Sequence, residues 1–154
     1  MMILNDLEYQ TTKERIAGFQ RALTELNTPD NKLKKTNPVL WQLNVDGVQS
    51  LLADFSEQIQ EYEALISRKQ HEPLVFEIDS LAQLPQILIK ARLAAKISQS
   101  ELANRLGIEA SLLQRYEDRE YESATLTQLL EISQILGISI LQKVTLEVTT
   151  PAVS

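Results

Sequence analysis

The side chains best equipped to meet a partner molecule cluster between positions 96 and 119 of this 154-residue chain. Glu109, Ala110, Ser111, Gln114 and Arg115 fall within seven residues, with Lys96, Gln99 and Arg105 before them and Arg119 after. At helical spacing Leu113 and Tyr116 form one face, and Ala110, Ser111, Gln114 and Arg115 fall away from it. That second face is polar or small, with a guanidinium fork suited to O6 and N7 of guanine, and it can enter a DNA groove. Other chemistry has little to work with. There is no cysteine and only one histidine, so disulfides, thiolate or histidine zinc sites, cysteine nucleophiles and a Ser-His-Asp triad are all disfavoured. Four glycines leave little room for a phosphate-binding loop. Glu61 with Glu63, or Glu120 with Glu122, sit in charged, solvated stretches that do not suit acid–base work. The expectation is a protein that is not an enzyme and has no cofactor or metal.

The run Ile97 to Glu117 must position this cluster. Ser98 with Glu101 three residues later reads as a capping box, so a helix should start at Gln99. Leu102, Ala103 and Leu106 form its apolar face, and Ala103 is small enough for a second helix to cross closely. Gly107 ends it, because glycine enters the left-handed conformation without a Cβ clash. A second helix is then expected from about Glu109 to Asp118.

The runs SQSELANRLGI, LLQRYE and LTQLLEISQILGI resemble the XRE family of helix-turn-helix proteins, the Cro and phage-repressor-like group, over roughly residues 84 to 138. Within that group, RYE followed by EYESATL and a terminal strand is similar to HigA-like antitoxins and related regulators. The resemblance implies that Gln99 bonds a DNA phosphate and that Ala110, Ser111 and Arg115 reach base edges in the major groove. Glu109 stands where the family usually has a capping Ser or Thr, and it would have to accept from a cytosine N4 to be favourable there. Arg119 stands where a small residue is usual and would add a phosphate contact. The resemblance also implies a structural ion pair between Arg92, near the end of the first helix of the module, and Glu117, at the end of the third.

The remaining chain supports that module. Asn5 with Glu8 and Thr11 with Glu14 are both cap signals for a first long helix, and an apolar stripe reaching back to Tyr9 favours the earlier one. The stripe sets Tyr9, Ile16 and Leu23 against Thr12, Phe19 and Leu26. Residues 28 to 38 are polar with two prolines and read as a loop. Asn37 and Pro38 then open a second long helix, with Val45, Leu52, Ile59 and Ile66 set against Val48, Phe55 and Tyr62. Gly47 is a point where that helix would fray or kink. Two single-stripe helices joined this way form an antiparallel hairpin over 1–67, whose free face packs on the rest of the chain, on a second copy, or on another protein. Residues 68–73 read as a linker, with His71 a solvated residue in it. The third unit, 74–154, comprises the helix-turn-helix and flanking strands.

In that third unit, Leu74 to Ile78 has strand character. Ser80 is a cap signal, and Pro85 marks a restart or a kink. Leu84, Leu88, Ala91 and Ala95 would line the first core helix. Thr125 and Gln128 form another capping box, before a helix with Leu126, Leu129, Ile132 and Leu136 inward and Gly137 at its end. Lys143 to Thr149 alternates as a strand and would pair with Leu74 to Ile78, within one chain or across a dimer.

The expected fold is therefore mainly α: a helical hairpin followed by a lambda-repressor-like helix-turn-helix with a small C-terminal β element. No signal peptide or membrane span is visible, so a cytoplasmic location is expected. Net charge is −6, so local sign, not bulk attraction, must bring nucleic acid to the cluster. The function expected is a sequence-specific, homodimeric regulator of a double-stranded DNA operator, antitoxin-like and repressing its own operon. The alternative is the same fold used as an interaction module, its acidic residues holding a basic partner such as a toxin.

Overall fold

The computed structural model of the chain describes residues 2–69 and 72–140, and over these it is helical. Helix α1 spans Asp6–Leu26, with Asn5 accepting from the Glu8 N–H at 2.9 Å and Glu8 reaching back to the Leu4 N–H at 2.9 Å. The earlier of the two cap signals is thus the one used, and Thr11 instead donates to the Leu7 carbonyl. Helix α3 spans Pro38–Ile66, capped by Asn37 with proline in its first turn. The two run antiparallel: Tyr9 stacks on Tyr62, Phe19 stacks on Phe55, and the Trp41 indole N–H donates to the Leu26 carbonyl at 2.7 Å. Every position of the α3 heptad series is buried or half-buried, as a hairpin seam requires.

Two local expectations fail in the hairpin. The polar stretch 28–38 is not all loop, since Lys32–Thr36 forms a short helix, α2, capped by Asn31. Gly47 neither frays nor kinks α3, which continues unbroken through it. A single glycine costs about 1 kcal/mol in a helix, and packing of this long amphipathic face outweighs that.

After the hairpin, residues 73–78 adopt neither helix nor strand, so the strand expected at Leu74 to Ile78 is not found there. Its expected partner, Lys143 to Thr149, and His71 lie outside the described residues. A 3₁₀ turn at Leu81–Gln83 leads into α4, Leu84–Ala94, so Pro85 marks a restart. Then come α5, Gln99–Leu106, α6, Ala110–Asp118, and α7, Leu126–Ile135. The buried face of α4 is Leu88, Ile89, Arg92 and Leu93, while Ala95 at its C-cap is exposed. On α7 the inward residues are Leu129, Ile132 and Leu136, and Leu126 stands 71% exposed beside the Thr125 cap.

One apolar cluster runs through both halves. Ile3 and Leu4 before α1, and Tyr62 and Leu65 near the end of α3, are buried with Leu88, Ile89, Leu102, Leu113 and Ile132. Lys90 of α4 reaches Glu61 of α3 at 2.5 Å. The residues around 68–73 therefore join two stretches of chain that share a core.

Candidate nucleic-acid interface

Helices α5 and α6 are set by the turn between them. Ser98 caps α5 by accepting from the Glu101 N–H at 3.1 Å. The reciprocal half of the capping box is missing, because the Glu101 carboxylate turns to Arg105 one turn along the same helix. Gly107 ends α5 at φ 68°, in the left-handed region. The Gly107 and Ile108 N–H groups close back on Asn104 and Ala103, so the chain reverses within three residues and α6 begins. Glu109 occupies the N-cap of α6 in extended backbone and makes no side-chain cap bond, which leaves its carboxylate to solvent.

Burial divides α6 into two faces. Leu113, Tyr116 and Glu117 are buried, at the i, i+3, i+4 spacing of one stripe. Ala110, Ser111, Gln114 and Arg115 are all exposed. A helix inserted in a groove needs such an arrangement, with a rigid back and a free polar front.

The back of α6 is held by charge. Arg92 and Glu117 are each only 2% exposed, and they form a two-pronged pair: Nε donates to Oε1 and Nη2 to Oε2, both at 2.6 Å. The rest of the guanidinium is used as well, with Nη2 donating to the Leu4 carbonyl at 2.7 Å and Nη1 to that of Ile97 at 3.0 Å. Gln99 Nε2 adds a third bond to Glu117, at 2.7 Å. Burying two charges is tolerable only when such bonds replace the lost water. The network fixes α4, the start of α5, the end of α6 and the segment before α1 as one body.

That network changes the place of Gln99. One amide hydrogen is held inside by Glu117, so Gln99 positions α6. Among the described residues its second amide hydrogen has no acceptor. The same contact brings the start of α5 beside the end of α6, with exposed Lys96 three residues before Gln99 and exposed Arg119 two after Glu117. Arg105 sits at the far end of α5 and is partly neutralised by Glu101. Among the described residues Lys96, Arg115 and Arg119 make no ion pair. Against them stand exposed Asp118, Glu120 and Glu122, of which Glu120 accepts from Gln86 at 3.3 Å.

Several contributors escape sequence reasoning. The Leu4 carbonyl holds Arg92 from 88 positions away; the available signal is the apolar pair Ile3 and Leu4 directly before a helix cap. Lys96 and Glu120 close their helices at φ 56° and 48°, doing what Gly107 and Gly137 do elsewhere, with the Ile97 N–H donating to the Arg92 carbonyl and that of Tyr121 to Tyr116. Tyr121 itself is buried at φ 59°, and among the described residues its hydroxyl has no hydrogen-bond partner. Burial, then the nearby Glu117 charge, pushes that phenol far above its ordinary value.

Residues 88–142 match the model of a helix-turn-helix family, a span that contains α5 and α6 but not the segment before α1 that helps to hold Arg92. No curated protein and no solved structure matches the chain. No helix among the described residues is long and apolar enough to cross a membrane.

Proposed function

We propose that the helix-turn-helix of this chain reads a specific double-stranded DNA operator as a homodimer, and that the protein regulates transcription, in an antitoxin-like setting, by repressing its own operon. The observation that carries the reading is the two-faced α6: Leu113, Tyr116 and Glu117 anchored, Ala110, Ser111, Gln114 and Arg115 free. Arg115 supplies a fork for a guanine edge and Ser111 a hydroxyl for either base type. Gln99, Lys96 and Arg119 serve phosphates and set the register. Two copies are needed because one small module contacts few base pairs, and pairing about a two-fold axis doubles the half-sites read. Selection from a random pool of DNA duplexes tests this directly. Enrichment of a two-fold symmetric site supports it, and recovery of an unbiased pool overturns it.

A second reading rests on exposed Asp118, Glu120 and Glu122 at the C-terminal end of α6, where the helix dipole is already negative. In it the module holds a basic protein such as a toxin and does not read DNA. The two part on salt dependence and sequence preference. DNA readout by two or three cations per subunit gives a slope of log affinity against log salt of about −4 to −5 for the dimer, at about −0.9 per phosphate. Protein docking gives no dependence on duplex sequence.

A further inference from the structure

The hairpin carries an apolar face that the fold does not use. On α3 the seam toward α1 is buried Val45 with half-buried Val48, Leu52 and Phe55, whereas Leu40, Leu43 and Leu51 are exposed, Leu43 to 62%. With Gly47 these stand at spacings of three, four and four, which makes one stripe down the side of the helix. It runs about 16 Å, at 1.5 Å per residue. Nothing lies within 4 Å of where a Cβ on Gly47 would stand, so the middle of the stripe is an open dent where another helix backbone can approach. A contiguous exposed stripe of this kind marks an interaction surface.

We infer that the occupant is a second copy of this chain, laid antiparallel along α3 with the two-fold axis near Gly47. Charge at the two ends of the stripe decides it. At the hairpin tip Lys32 and Lys34 are exposed, and past the other end Asp54 and Glu57 are exposed; none of the four has an ion pair among the described residues. An acidic partner would match one end and oppose the other, and so would a basic one. An antiparallel copy satisfies both, because each basic tip meets the other copy's acidic stretch. The register agrees, since Leu43 and Leu51 lie four residues either side of Gly47 and meet across the axis. This deepens the homodimeric part of the proposed function by naming its surface, and it leaves the DNA-reading face of α6 free.

Light scattering of the full chain is expected to give about twice 17.5 kDa at micromolar concentration. Leu43→Glu should shift the mass to that of a monomer with its helical circular dichroism kept. Leu130→Glu, at an exposed position of α7, should stay dimeric. Because the chain has no cysteine, Gly47→Cys introduces a single thiol, and a short bismaleimide should link two copies of it while leaving Leu7→Cys unlinked. A wild-type monomer, a dimer that survives Leu43→Glu, or equal linking of both cysteine variants overturns the inference. These masses are read without DNA, so their outcome is independent of operator selection.

Discussion

The two halves of this molecule are held by different physics. The helix-turn-helix is tied by a buried, fully bonded charge network in which Arg92, Glu117 and Gln99 fix the orientation of α6. The hairpin is a seam of half-buried heptad residues and stacked rings, tolerant of a mid-helix glycine. A seam sets which helices touch, whereas directional bonds between specific atoms set the angle and rotation of one short helix, and a recognition helix needs that angle. The half that carries the candidate interface is therefore fixed by directional bonds, and the half that supports it by a packed seam.

That contrast can be broken by mutation. Removing one member of the network, in Arg92→Met or Glu117→Leu, leaves a buried charge unpaired and should cost about 3–5 kcal/mol, while the double variant should recover most of it. Thermal melts of the three chains check this, and three small equal losses would remove the distinction between the halves. Phe55→Ala in the hairpin should cost about 2 kcal/mol, less than a fully buried ring, because the side chain is only half-covered. The helix ends give a smaller and two-signed effect. Gly107→Ala puts a Cβ into the left-handed region and should lose about 1 kcal/mol, while Lys96→Gly relieves the same conformation and should gain about 0.5–1 kcal/mol in denaturant melts.

The smallest effect concerns Tyr121. Its folded phenol titrates above the ordinary 10.0, so the unfolded chain gives up this proton first. The stability it contributes is complete below about pH 10 and falls as the pH rises beyond that. Tyr121→Phe should be close to neutral at pH 7, since the hydroxyl has no hydrogen-bond partner among the described residues, and should flatten the alkaline loss. An unchanged alkaline limb would assign that loss to other groups, of which Tyr62, raised in the same direction by burial, is the first to examine.

How far the sequence carries depends on whether a signal is local. Caps at Asn5, Asn37, Ser98 and Thr125, the glycine stops at 107 and 137, and the heptad seam are all written within a few residues, and each is found where it is expected. Expectations weakened where tertiary context decides. Leu126 and Ala95 fit an inward period but sit at helix ends turned to solvent. Leu74 to Ile78 has strand composition, but the described residues show no strand there and its expected partner lies outside them. Lys96 and Glu120 take the glycine conformation with no glycine to announce it. The candidate interface was legible as a polar face on one helix. The internal use of Gln99 was not, because a side chain with two amide hydrogens can serve both Glu117 and a phosphate.

The most direct test of the central claim is the affinity of wild type and Arg115→Ala for the selected operator and for duplexes altered one base pair at a time. If α6 reads DNA, the substitution costs about 1–3 kcal/mol and relaxes preference at one base pair in each half-site, leaving preference elsewhere intact. If affinity and preference are the same in both proteins, α6 does not read bases through Arg115, and the account of this helix as a recognition element is contradicted.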